Sequence, residues 1–470
     1  MKASSFRIAF SILMCALSAI ASAQTFTTLV TFNSRNGGVP LSFLTQGEGG
    51  NLLGMTAIGG TSRNCTHGCG TIFRLTQSGA LTTLFDFDSY HGSGPQGGLI
   101  LASDGNFYGT TPDGGENEFG TVFRVTPAGA LKTRYRFNGL DGGGPYAPVV
   151  QGTDGQFYGT TVIGGGHKNC HGQTCGTIFK ISSRGKLTTL YRFNGKDGAW
   201  PFSGLVQAAD ENFYGTTPEG GKHGSGTVFS ITPTGSLKQL YSFDGGGPGA
   251  LVQALDGNFY GTTGGGANGY GTVFRITPEG ELATLHNFSG DDGSSPYGRL
   301  IQASDGNLYG ITEQGGDPSC ARYGCGTVFQ ITLSGTLTTI HSFHGEDGEL
   351  PYGGLLQDTS GIIYGTTSEG ADFTCGGGYG CGAVFSIDMG LGPFVTFVRS
   401  LGRVGGTGGI LGQGFTGTTA VSLNGTPADF TVVSDTFIKA TVPPGATTGY
   451  VSVTTPSGVL KSNVPFQVIP

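Results

Sequence analysis

Along most of the chain, short apolar runs alternate with clusters of Gly, Asp, Asn and Pro. Apolar runs of this length between turn-forming residues predict β-strands joined by tight reversals. The string Gly-Thr-(Val/Ile)-Phe recurs with its glycine at Gly70, Gly120, Gly176, Gly226, Gly271 and Gly326, and a variant begins at Gly382. The intervals are 50, 56, 50, 45, 55 and 56 residues. Each interval reads as four strands. In the unit beginning at Pro296 they are predicted at 298–304, 308–312, 326–332 and 336–343. The first two are joined by Asp305-Gly306, a turn repeated at Asp104-Gly105, Asp154-Gly155 and Asp256-Gly257. Glycine there supplies the positive φ that a tight hairpin needs.

Counting the pieces selects an architecture. Sets of the first three strands begin at Pro40, Pro95, Pro145, Pro201, Pro248, Pro296 and Pro351, and the last set lacks a following fourth strand. The segment 26–32 near the N-terminus reads as an orphan fourth strand. Pairing the two ends gives an all-β, seven-bladed β-propeller closed by an N-terminal strand, which removes the exposed edges of an open array. After Gly392-Pro393 the repeat stops. The remaining segment shows short alternating strands with frequent turns, the pattern of a small Ig-like β-sandwich. The predicted divisions are 1–23, 24–390 and 391–470.

The repeat pattern P-x-G-L-x-Q-x-x-D-G-N-x-Y-G-T-T, followed by G-T-V-F-x-I-T-P-x-G, resembles the GloVer tandem repeat of secreted bacterial proteins. Its D-G-N-x-Y and P-x-G landmarks are also similar to NHL-type propeller repeats. Kelch and WD40 repeats fit less well, because each carries a tryptophan per blade and Trp200 is the only one here. Near the C-terminus, Gly409-Ile410-Leu411-Gly412-Gln413-Gly414-Phe415 and Ala440-Thr441-Val442-Pro443-Pro444-Gly445 resemble an IPT/TIG domain. These resemblances imply a secreted propeller with an appended sandwich, and they assign no activity.

The N-terminus refines the setting. Lys2 and Arg7 precede an apolar run from Ile8 to Ile20, and Ala21-Ser22-Ala23 is a small-residue cleavage site. This is the layout of a secretory signal, with the mature chain starting at Gln24 outside the cell or in its envelope. Without those two cations, 22 basic residues face 31 acidic ones, a formal charge of −9. With no basic run, nucleic acid and anionic membranes are poor partners. No later stretch reaches the roughly 20 apolar residues of a membrane span.

Eight cysteines remain in four close pairs: Cys65/Cys69, Cys170/Cys175, Cys320/Cys325 and Cys375/Cys381. The second member of each pair directly precedes the glycine of the third strand, so every pair lies in the loop between the second and third strands. Export into an oxidising compartment predicts four local disulfides. Zinc is the competing reading, since His67, His167 and His171 lie among two of the pairs. The other two pairs lack histidine, however, and neither metal nor cofactor is expected.

Strands that run up and down place the variable loops on one face. These are the cysteine loops and the loops leading from each fourth strand into the next unit. His91, His167, His171, His223, Tyr90 and Trp200 belong to them and are candidate binding residues. The connecting loops repeat an acid at Asp141, Asp197, Asp292 and Asp347. This is first of all a turn residue that recurs because the turn recurs. In a second reading it forms a carboxylate ring for a cation or a sugar. Glutamines at 46, 151, 207, 253, 302 and 357 are expected to satisfy backbone groups between units. No H-E-x-x-H, G-x-S-x-G or P-loop is present. The sequence therefore predicts a binding scaffold for polysaccharide or an envelope protein. The opposing prediction is a carbohydrate lyase or hydrolase at the channel mouth.

Overall fold

The structure, a computed structural model, describes residues 24–166, 169–318, 320 and 324–469. The predicted signal segment 1–23 and the candidate His167 lie outside the described residues. The described chain is all-β, with one 3-10 turn at Gly376–Gly378 and no α-helix. No described helix is long and apolar enough to cross a membrane.

Six antiparallel four-stranded sheets follow one another in sequence order from Thr45 to Ser342. One example pairs Ile301–Gln302, Leu308–Thr312, Thr327–Ile331 and Leu337–Ser342. A further sheet contains Leu356–Gln357, Ile363–Glu369 and Ala383–Asp388, and its outer strand is Thr25–Thr31 from the N-terminus. The second to fourth strands of the repeat match their predicted positions closely. The first strand shrinks from the predicted 298–304 to Ile301–Gln302. Threonine hydroxyls of one sheet bond carbonyls at the start of the next, as Thr110 does to Ala147 and Thr216 to Gly249. Thr366 does the same to Pro40, joining the last repeat sheet to the first.

The repeated glutamines form the same kind of inter-sheet link. Gln207 accepts the Thr153 amide at 3.0 Å and donates to its own turn at the Glu211 carbonyl. Gln46 accepts the Thr359 amide across the two ends of the repeat array. Aromatic packing fills the space between sheets, with Tyr158 stacked on Phe213 and Phe193 edge-on to Phe229.

The C-terminal segment builds two four-stranded sheets and a parallel pair of Leu401–Arg403 with Gln467–Ile469. One four-stranded sheet contains Thr407–Leu411 and Phe437–Thr441, the other Ala420–Leu423 and Val451–Thr455. Val395, Ile410, Phe415, Val421, Ile438 and Val453 form the core they share. This unit docks on the repeat sheets at the end bearing the tight turns. Leu411 and Phe437 join an apolar cluster with Leu53, Leu101 and Phe107. Arg399 donates to the Gly152 carbonyl at 3.1 Å, and Arg403 pairs with Glu211 at 2.8 Å.

Four disulfides join Cys65 to Cys69, Cys170 to Cys175, Cys320 to Cys325 and Cys375 to Cys381, the predicted pairing. They fit an extracellular protein.

Candidate binding cavity

The short first strands of the repeat sheets line one cavity of about 970 Å³. That is near the upper end of the usual range for small-molecule sites. Its wall is layered because each first strand crosses it with the same register.

The residue after each strand-opening proline lies at the end nearest the variable loops. In four repeats this residue is aromatic: Tyr146, Phe202, Tyr297 and Tyr352, all lining the cavity. Phe202, Tyr297 and Tyr352 are exposed, and the Tyr146 and Phe202 rings lie 5.2 Å apart. Burial, together with the nearby Glu313 carboxylate, pushes the Tyr352 phenol above its ordinary pKa, so it stays protonated at neutral pH. Deeper, Phe43 and Arg299 meet across the lumen, with the guanidinium carbon 5.5 Å from the ring centroid. Below them Val150, Val206, Val252, Ile301 and Leu356 form an aliphatic belt. Phe397, Val398 and Leu411 of the C-terminal unit floor the cavity. It opens on the loop side.

Trp200 also lines this cavity. Its backbone has φ 56°, an unusual conformation for a bulky residue. Two bonds to the neighbouring disulfide loop hold it there: its amide donates to the Cys175 carbonyl, and its indole Nε1 donates to Thr174 at 2.9 Å. The His171 ring lies 5.6 Å from the indole, and its Nε2 is 3.4 Å from Glu219 Oε2. Trp200, His171 and Glu219 are thus brought together at the mouth.

The other candidates lie elsewhere. His223 is exposed in its loop and does not line the cavity. His91 bonds Asp88 at 2.9 Å and also stays outside the lining. Tyr90 packs under the Arg136 guanidinium, 4.3 Å away. The four repeated aspartates sit in loop staples. In each, one carboxylate oxygen accepts a loop amide: Asn138 to Asp141, Asn194 to Asp197, Ser289 to Asp292 and His344 to Asp347. The other oxygen meets a ring six residues upstream, from Tyr135, Tyr191, His286 and His341 respectively. Burial would raise Asp347, but the bonds from His341 and the His344 amide outweigh it and hold its pKa below the ordinary value. Asp292 is lowered in the same way, by the Ser289 amide and His286. Among the described residues, no group of three or more His, Cys, Asp or Glu side chains is placed to hold a metal ion.

The four mouth aromatics and Arg299 escaped the sequence reading. A signal existed for each. The position after the strand-opening proline is aromatic in four repeats, and Arg299 breaks a position that is Gly98, Gly204 and Gly354 in other repeats.

An all-β array of repeated four-stranded sheets whose first strands line one cavity defines a propeller-like repeat protein. The chain belongs to the Gloeobacter/Verrucomicrobia repeat family, which matches residues 59–252 and 244–428. No curated protein matches it. A catalytically inactive virginiamycin B lyase from Staphylococcus aureus, solved with quinupristin, aligns at 16% identity and TM-score 0.53. That alignment covers 77% of this chain and 99% of the lyase, and it shows a shared fold. A gluconolactonase from Xanthomonas campestris aligns at 14% identity and TM-score 0.40, over 65% of this chain and 91% of its own. A nidogen/laminin complex gives 15% identity and TM-score 0.40, over 59% and 91%.

Proposed function

We propose that residues 24–390 form a seven-bladed β-propeller closed by the N-terminal strand, carrying at 391–470 an Ig-like sandwich of the IPT/TIG type. Two links between the first and last repeat sheets support closure, Thr366 to Pro40 and Gln46 to Thr359, and the N-terminal strand Thr25–Thr31 completes the last sheet beside Ala383–Asp388. On this reading the molecule is an exported, non-enzymatic binding scaffold whose loop face recognises polysaccharide. The observation that carries it is the aromatic mouth of Tyr146, Phe202, Tyr297 and Tyr352, with Trp200 beside it. Rigid rings with polar edges present a large apolar face at little entropic cost, which suits the flat faces of sugar rings.

The test is a glycan array probed with the oxidised mature chain and with a Phe202→Ala/Tyr297→Ala/Tyr352→Ala variant. Retention of a glycan class by the parent, and its loss in the variant, is the expected result. If the folded parent retains nothing, polysaccharide recognition is overturned and an envelope protein becomes the partner to seek.

One observation favours a second reading, a carbohydrate lyase or hydrolase. His171 and Glu219 approach to 3.4 Å beside Trp200 at the mouth, a pairing of the kind used for proton transfer. Release of reducing ends from any glycan retained on the array, abolished by Glu219→Gln, would establish it.

A further inference from the structure

Among the described residues, the charged side chains lining the cavity are Glu219, Arg299 and Arg399. Glu219 faces His171 at the mouth, and Arg399 is tied to the Gly152 carbonyl in the floor. Among the described residues Arg299 has neither an ion pair nor a hydrogen bond, and it faces the ring of Phe43. The side chain is accessible, and it is so through the cavity it lines. Neighbouring protein lowers its pKa by desolvation, while the side chain stays open to solvent in the cavity. Arginine nevertheless stays charged.

The scaffold has no need of this cation, because other repeats place Gly98, Gly204 and Gly354 at the same position. The guanidinium stands unpaired and open to the cavity, so its donors are free to take a ligand. A guanidinium is also the side chain best shaped to take a carboxylate through two parallel hydrogen bonds. Below it the wall is aliphatic, and the repeated glutamines are committed to turns and neighbouring sheets. The lumen therefore offers one anchor for an anion and an apolar sleeve for what the anion is attached to.

We propose that the lumen binds a small amphipathic carboxylate, with its head on Arg299 and its apolar body against Phe43 and the aliphatic belt. This site lies below the aromatic mouth and does not depend on the mouth recognising polysaccharide.

Isothermal titration of the mature chain with 4-phenylbutyrate, 4-phenylbutan-1-ol and acetate tests it without using any saccharide. The expected result is binding of the acid about tenfold or more tighter than the alcohol or acetate, as a charge-assisted pair on an apolar body requires. Arg299→Met should remove that advantage while leaving the alcohol unchanged. It should also unfold at about the same temperature as the parent, since Arg299 is exposed and makes no hydrogen bond or ion pair among the described residues. Equal binding of acid and alcohol by the parent overturns the anchor, and equal binding of acetate overturns the apolar sleeve. A clearly lower unfolding temperature for Arg299→Met would make Arg299 a structural prop and overturn the proposal.

Discussion

Two residues explain why the repeat motifs Tyr-Gly-Thr-Thr and Gly-Thr-(Val/Ile)-Phe travel together. The phenylalanine of the third strand lies over the glycine of the second. At Gly215, an added Cβ would stand 2.7 Å from Phe229 Cζ and 2.8 Å from Leu205 Cδ2. All three residues belong to one packed layer, and Phe229 is fully buried. Gly215→Ala is therefore expected to destabilise the protein by about 1–3 kcal/mol through overpacking. Calorimetric unfolding of the oxidised protein would show this, and an unchanged midpoint would mean that Phe229 moves aside freely. The motif was legible in the sequence, but the collision that enforces it was not. The two residues are distant enough along the chain that only the sheet register, Gly215 opposite Phe229, brings them together.

At the scale of the element, four connecting loops are held by aspartate staples to a ring six residues upstream, while the shortened loop after Tyr241 carries Gly247 there. Where the upstream ring is Tyr135, Tyr191, His286 or His341, the loop carries an aspartate six residues on. Where it is Phe85, which can donate no hydrogen bond, the loop carries His91 instead, edge-on to the Phe85 ring at 5.8 Å. This internal pattern was available to sequence reasoning, and it ties the acid to the loop it closes. It also sets a pH dependence. Asp347 and Asp292 have lower pKa values folded than unfolded. Their contribution is thus present above the unfolded value of about 4 and is lost as pH falls through the folded value. Asp347→Asn should lower stability at pH 6 by about 1–2 kcal/mol, allowing for partial solvent screening. It should also flatten the loss of stability below about pH 4. Thermal unfolding of parent and variant from pH 2 to 7 checks both; parallel pH profiles would mean that the carboxylate charge contributes nothing.

At the scale of the whole molecule, the C-terminal unit lines one end of the cavity. Its Phe397, Val398 and Leu411 form the floor, while Phe437 packs into the cluster of Leu53, Leu101 and Phe107 on the repeat sheets. Removing residues 391–470 should therefore leave a folded array with an exposed apolar patch at the turn face. Such patches drive association. Light scattering after size exclusion is expected to show self-association of 24–390 but not of 24–470. A strictly monomeric truncated chain would mean that the docking surface is less apolar in solution than its lining suggests.

By itself the sequence determined whatever rests on local pattern. The strand-and-turn alternation, the repeat interval, three of the four strands in each unit and the disulfide pairing all follow from residues close along the chain. Hairpin geometry and short loop closure act over such distances. Tertiary structure alone decided which side chains share the cavity. Arg299 and Phe43 come from different repeats, and Arg399 reaches a carbonyl 247 residues away. The first strands are shorter than predicted, and the starts of several units are tied by threonine hydroxyls to the neighbouring sheet, a contact that no single unit contains. The ligand-facing surface is a property of the assembled sheets, because each repeat supplies only one stave of the wall and its chemistry exists only where the staves meet.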